Sequence, residues 1–359
     1  MYDIVLLSLA EGAGPSDSCG GACGSACLGG ASGAAAAPAS GAGAAAASGA
    51  AAASGGASAS GGASASALGA AVCVPRVPVL ACADVLREAG ARVETVVATS
   101  DREVDAVIAR LDGPGRADGL TWPDAHSEVR LVIATATDGQ LRAVLRRLVR
   151  RYAPPPSKRP SDLASDRTVP DLPPVALLPL DPTSTTDLVA QLGLPRTPAA
   201  VAAAVLGDRV RRLDLLRNDA GSVTVDGALV GGADEAGRAV PWRGRVEVDD
   251  AVLSDGTDQI MACAIGNAGA YASFDGLPLL SAGDPTDGRV EVAVAVPVVV
   301  KQRFRASRVR VEVRRARGRA VSVLPRDGEL PFLDDGVAGT MNRKRSWWTE
   351  PGAWAVYAG

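Results

Sequence analysis

Histidine is almost missing from these 359 residues: His126 is the single one. A Ser-His-Asp relay or a histidine-rich metal centre therefore has little material. His126 itself, in the loop-like stretch WPDAHSE, is expected to be a solvated side chain. Aromatic residues make up only 3%, so the cores must be built from Val, Leu, Ile and Ala. Six cysteines are too few to staple a chain of this length, and Cys73, Cys82 and Cys263 lie in apolar runs that suit reduced, buried thiols. A reducing, cytoplasmic setting is expected. Charge of one sign is also lacking. A net charge of -3 supplies no overall attraction to nucleic acid, and no nucleic-acid partner is expected. No long hydrophobic run opens the chain: Met1 to Leu9 is too short for a membrane span and has no basic flank, so neither secretion nor a transmembrane anchor is expected.

What is present falls into segments. From about Gly12 to Ala70 the chain is nearly all Ala, Gly and Ser, with too little large apolar surface to offset the entropy of ordering it. Residues 1–71 are thus expected to be a disordered leader, with a possible first strand at 2–9. Within it Cys19, Cys23 and Cys27 form C-x3-C-x3-C, which leaves metal binding open, although no fourth ligand is evident. The remaining length is enough for two domains.

Beyond the leader, α/β units follow one another. Ser100 with Glu103 forms a capping-box pattern that opens a helix through Val104, Val107, Ile108 and Leu111, stopped by Gly113. Val129 to Ala134 has the composition of a buried strand. A polar turn then leads into a helix over Leu141 to Arg151, whose apolar face is Leu141, Val144, Leu145, Leu148 and Val149. After a Pro-rich linker, Val175 to Leu178 repeats the strand, a polar loop follows, and a helix is expected from Asp187 to Leu192. Thr197 and Pro198 start another helix that ends at Gly207. Past Leu215 short strands take over. Ser222 to Val230 is expected to fold as a hairpin on Asp226-Gly227, followed by strands at Arg245 to Leu253, Gln259 to Ile265 and Val290 to Val300. Arg308 to Arg314 is expected to pair with Ala320 to Leu324 around Gly318, with arginines on one face and valines on the other. In the last segment Arg343, Lys344 and Arg345 stand beside Trp347, Trp348 and Trp354, which suits a tail docked on the first domain or a membrane-interface contact.

Three loops, their order and their spacing resemble those of the diacylglycerol kinase-like lipid kinases. LVIATATDGQLRAVLRRL (131–148) resembles the family's strand, GGDGT loop and helix, with Asp138-Gly139 in the Asp-Gly place. PVALLPLDPTSTTDLVAQLGLP (174–195) and RRLDL (211–215) resemble the next segments. AIGNAGAY (264–271), PTDGRVEV (285–292) and PRDGEL (325–330) resemble an Asn-containing strand, an Asp-Gly turn and a late Asp-Gly-Glu. The resemblance implies an α/β nucleotide-binding domain, Rossmann-like and three-layered, over 72–215. It implies an antiparallel β-sandwich domain over 216–330, a C-terminal segment 331–359 returning to the first domain, and an active site in the cleft.

It also implies site residues. Ala136, Thr137, Asp138, Gly139, Gln140, Thr183, Thr186 and Asp187 would contact the cofactor, ATP with Mg2+. Asp327 and Glu329 would be the catalytic base and a metal-linked carboxylate, acting on a lipid alcohol. Asp138 is equally suited to be a plain helix cap. The departures fall on the phosphate-binding positions. Ala136 and Thr137 replace two glycines, Gln140 replaces a threonine, and Asp181-Pro182 replaces Gly-Thr. A β-branched side chain resists the backbone that cradles phosphate, a carboxylate repels it, and proline removes a donor. Two functions stay open at this stage: an ATP-dependent lipid kinase, or a catalytically degenerate nucleotide- or lipid-binding protein of the same fold. An NAD kinase-like activity is a third. A peripheral membrane contact and a homodimer are also left open.

Overall fold

The computed structural model describes residues 2–10, 77–269, 271, 273–274, 276–281, 283–302 and 305–359, without side chains at 300–308. The expectations for the Ala/Gly/Ser-rich leader and its cysteines lie outside these residues. The stretch at its N-terminal edge does not. Strand β1 (Asp3–Leu9) runs parallel between β2 (Arg92–Ala98) and β3 (Val129–Thr135), with Ile4 opposite Val93 on one side and Arg130 on the other.

The alternation along β1 builds three layers. Ile4 and Leu6 enter a cluster with Val79, Cys82 and Leu86 of α1 (Val77–Glu88) and with Val201 and Val205 of α5 (Pro198–Leu206). Val5, Leu7 and Leu9 point to the other face. There they meet Val104 and Ile108 of α2 (Asp101–Ile108) and Leu141, Leu145 and Leu148 of α3 (Asp138–Tyr152). Burial on both faces is what a near-continuous apolar run in a parallel strand requires. β4 (Pro174–Pro179) extends the sheet beyond β3, and α4 (Leu188–Gln191) follows it. Ser100 caps α2 as expected, but the Glu103 carboxylate reaches back one residue further, to the Thr99 N–H at 2.6 Å. Helix α1 and the largely exposed edge strand β2 were not anticipated.

The second half comprises β5 (Val210–Asn218), β6 (Val223–Thr224), β7 (Gly227–Val230), β8 (Gly232–Ala233), β9 (Ala239–Val240), β10 (Gly244–Val248), β11 (Ala251–Asp255) and β12 (Ala262–Gly266). These are followed by β13 (Ser273–Phe274), β14 (Leu277–Pro278), β15 (Val290–Gln302), β16 (Arg305–Gly318), β17 (Ala320–Pro325), β18 (Leu330–Asp334), β19 (Val337–Met341) and β20 (Arg345–Tyr357). One mixed sheet has the order β11-β10-β17-β20-β4-β3-β1-β2, with β5 also on β20. An antiparallel sheet has the order β16-β15-β12-β7-β18-β19.

No sheet boundary falls at 215/216, because β20 joins the halves. It runs parallel to β4 at Ala355 and antiparallel to β5 and β17. Trp347, near its start, is fully buried among Val246, Val321 and Val292, a core drawn from both sheets. Trp354, near its end, is buried in the α/β core. The last segment is thus a shared strand, and its two buried tryptophans face different cores.

Two expected hairpins do not form. β6 pairs with β5 and β7 with β12, so Asp226-Gly227 carries the chain from one sheet to the other. β16 pairs with β15 and not with β17, because the chain changes sheet at Gly318. A Cβ there would lie 2.5 Å from the Asp249 carboxylate, which accepts the N–H groups of Arg319 and Ala320 at 2.9 Å each. Among the described residues no helix is long and apolar enough to cross a membrane.

Candidate functional site

The loops that leave the carboxyl ends of β3 and β4 face the Asp226-Gly227 crossover and the turn between β18 and β19. Together they enclose a cavity of about 500 Å³. Ligands of open α/β sheets bind at such strand ends. The cavity is lined by Ala136, Thr137, Asp138 and Gly139 from the first loop and by Thr186 and Asp187 from the second. Asp226, Asp335 and Val337 close the far side.

The first loop is occupied by its own protein. Gln140 folds back so that its side-chain oxygen accepts the Ala136 N–H at 2.8 Å. Thr137 takes the cap position of α3 without a side-chain hydrogen bond, and Asp138 opens the helix. The Asp138 carboxylate accepts the Leu188 N–H at 3.2 Å, tying the two loops together. Burial, with Asp226 and Asp187 nearby, pushes this carboxyl up to about 6 despite the hydrogen bond from Leu188. Gly139 is glycine for a packing reason, since a Cβ would stand 2.8 Å from Val337 Cγ2.

In the second loop Thr183 turns away from the cavity, its N–H and hydroxyl both donating to Asp181 at 3.0 and 2.6 Å. Asp187 caps α4 through the Ala190 N–H and pairs with Arg196 at 2.6 Å. Burial acts to raise Asp187, but the Arg196 guanidinium and the Ala190 N–H outweigh it and hold the carboxyl below its usual range.

Across the cavity the Asp335 carboxylate, fully buried, accepts the N–H groups of Val225, Asp226 and Gly227 at 2.8, 2.9 and 3.1 Å. Burial first and the adjacent Asp334 second push it well above the ordinary carboxylate range. Behind it Arg142 is 1% exposed. It donates to Val223 O and Ser222 Oγ at 2.8 Å and to Asp334 at 3.0 Å, so this cation belongs to the joint between the halves. Asp226 accepts Gln191 Nε2 at 2.8 Å and the Gly269 N–H at 3.0 Å. The cavity wall therefore carries four carboxylates, and no lysine or arginine lines it.

Asp327 and Glu329 are elsewhere. They line a separate groove of about 260 Å³ with Trp242 and Arg243, where Asp327 accepts the Arg243 N–H at 3.0 Å. The Asp-Gly pair that reaches the cleft is Asp335-Gly336, eight residues on. β18 pairs with β7 and delivers its turn opposite Asp138. LPFLDDGVAGTM carries the signal that could have found it: apolar alternation on both sides of Asp-Asp-Gly.

Other matched motifs are structural. Asn267 donates to Asp214 O at 2.9 Å and Val225 O at 2.8 Å, while the Asp214 carboxylate accepts the N–H groups of Gly288 and Gly352. A second cavity, of about 750 Å³, shares Thr186, Gln191 and Tyr271 with the first and continues along Leu192, Ala268 and Pro285. Its wall is mainly apolar.

Among the described residues no group of three His, Cys, Asp or Glu could hold a metal ion, and the oxygens of Asp138, Asp226 and Asp335 accept protein N–H groups. The described residues thus form no ready-made protein cage for Mg2+.

No sequence-family model matches the chain. No curated protein matches it either. Solved structures do. A diacylglycerol kinase structure from Bacillus anthracis str. Sterne superposes with a TM-score of 0.50 at 12% identity, covering 78% of this chain and 92% of that one. A second structure from the same organism, described only as a candidate diacylglycerol kinase, gives 0.50 at 12%, covering 78% and 91%. The chain has the diacylglycerol kinase-like fold, a mixed α/β sheet with a separate antiparallel sheet.

Proposed function

We propose that this protein uses the diacylglycerol kinase-like fold to bind a polar or amphiphilic ligand in the Asp138–Asp335 cleft without transferring phosphate to it. The observation that carries this reading is the filled first loop. A phosphate cradle needs backbone N–H groups free to face the oxygens. Here the Ala136 N–H is held by Gln140, and Val337 packs against Gly139. The carboxylates of Asp138, Asp187 and Asp226 would repel an uncompensated triphosphate, and the described residues form no protein cage for a compensating cation. The same wall suits a hydroxyl-rich or cationic head, and the adjoining apolar cavity suits a chain attached to it.

The second reading is phosphoryl transfer from ATP to a lipid hydroxyl. It is favoured by Asp138, whose carboxyl at about 6 lies in the range of a general base and faces the cavity. One titration separates the two readings. Calorimetry with ATP, with and without Mg2+, and with dispersed monoacyl- and diacylglycerol is expected to give heat for the lipid alcohol only. Labelled phosphate transferred from ATP into either lipid would establish the kinase reading instead.

A further inference from the structure

Strands β15 and β16 outrun the rest of their sheet. β12 pairs with β15 only over Glu291–Ala295, so the ladder from Val296 opposite Glu312 out to Gln302 opposite Arg305 is a ribbon of two strands. Such a ribbon is marginally stable in water by itself. This one leaves apolar side chains uncovered: Val299 is 59% exposed, Val309 68% and Val311 38%. Register puts them on one face, because Val299 pairs with Val309, Pro297 with Val311 and Ala295 with Val313. On the other face Val298 pairs with Arg310, which is also exposed.

Charge singles out the same element. The strand residues from Val296 to Gln302 and Arg305 to Val313 include Lys301, Arg305, Arg308 and Arg310 against Glu312 alone, a net +3 in a chain of net -3. The apolar face also leads somewhere. At its base Val313 packs on the small cluster around Ala295 and Leu279, the same cluster that Tyr271, Phe274 and Leu277 cover, and Arg315 donates to the carbonyls of Pro278 and Leu279 at 2.6 Å each. Tyr271 and Ser273 of that loop line the 750 Å³ cavity. The exposed valines are thus continuous with the rim of the apolar cavity.

We propose that the β15–β16 ribbon docks this protein on an anionic lipid surface. Val299, Val309 and Val311 enter the acyl boundary, Arg310 meets the headgroup phosphates, and the net positive charge of the two strands favours an anionic leaflet. Valine beside arginine on a projecting element is the composition of an interfacial anchor. Cations near an anionic leaflet each strengthen binding by about fivefold. A second copy of the chain fits less well, since two such ribbons repel, and nucleic acid would leave the valine face unused. The proposal does not depend on what the cleft binds.

The test is co-sedimentation of the full chain with phosphatidylcholine vesicles, with and without phosphatidylglycerol, for the parent, Val309→Asp and Arg310→Glu. Both side chains are exposed, so the thermal transition of each variant should match the parent and loss of binding would not reflect unfolding. Expected is binding to the anionic vesicles only, weakened by salt and reduced about fivefold or more by each variant. Several results would overturn the proposal: no vesicle binding, equal binding to neutral vesicles, or variants that bind like the parent. A dimer dispersed by Val309→Asp without vesicle binding would give the face to a second copy, and duplex DNA binding in place of vesicle binding would give it to nucleic acid.

Discussion

Val337 Cγ2 lies 2.8 Å from the point that a Cβ on Gly139 would occupy, so the β18–β19 hairpin rests directly on the first turn of α3. The neighbouring Asp335 carbonyl, at 3.4 Å from that point, limits retreat. Gly139→Ala should therefore destabilise the protein by about 1–3 kcal/mol, as overpacking does, even though alanine is the better helix former. Removing the obstacle should reverse the sign. In a urea-denaturation cycle, Gly139→Ala and Val337→Ala are expected to couple by roughly 1 kcal/mol in the compensating direction. Additive costs would mean that the hairpin does not press on the helix.

Arg142 sits on α3 yet is bound by β6 and by Asp334 of β18. Arg142→Met would leave Asp334 and Asp335 buried without their guanidinium, and breaking a buried pair from one side costs about 3–5 kcal/mol. Asp334→Asn keeps one acceptor oxygen for Arg142 while its amide nitrogen can donate to the Thr224 hydroxyl, and it should cost less. Denaturant midpoints of the two variants give the comparison. Equal midpoints would deny Arg142 its place as the pin between the two halves.

The Asp138 carboxyl, raised from 3.8 to about 6 by burial, fixes the sign of a pH effect. The folded state holds this proton more tightly than the unfolded one, so stability is greatest below about 4 and falls as pH rises to about 6. Two pKa units correspond to at most about 3 kcal/mol, and less here because the group is only partly buried. Asp335 contributes a fall in the same direction. Asp138→Asn keeps the acceptor for the Leu188 N–H and removes the titration. It should leave stability unchanged at pH 4 and raise it at pH 7, flattening the profile from thermal melts without abolishing it. A steeper slope in Asp138→Asn would show that Asp138 is not the group responsible.

The units that hold Asp138 and Asp187 were legible because each combines an apolar strand run with a helical apolar face, and both signals are local. Other parts were not. β1 is separated from β2 by the long Ala/Gly/Ser-rich stretch, and nothing local to Asp3–Leu9 says which strands flank it. α1 is rich in Ala and Val on every side, and β2 is an exposed edge, so neither has a clear stripe. The Asp-Gly pairs at 226, 327 and 335 look alike in sequence. Only pairings between distant strands, Phe332 with Val230 above all, place Asp335 in the cleft and leave Asp327 outside it. A turn signal reports that the chain bends, not which sheet receives the next strand.

Reopening the filled loop should let the cleft take a nucleotide more readily. Ala136→Gly with Thr137→Gly removes two side chains from the loop, but Gln140 would still hold the N–H at position 136. The double variant alone should therefore gain little. Adding Gln140→Thr frees that donor, since a threonine there is too short to fold back in the same way. The triple variant is expected to bind ATP about tenfold more tightly than the parent, a gain of about 1.4 kcal/mol. Complete restoration is not expected, because Asp181 and Pro182 remain in the second loop and Val337 still rests on Gly139. Calorimetric Kd values for parent, double and triple variants decide the matter in order. A gain that appears only with the third substitution identifies Gln140 as the side chain that closes the loop. A gain already complete in the double variant assigns the closure to Ala136 and Thr137, and no gain in any of them means that the carboxylate wall, rather than the loop, excludes the triphosphate.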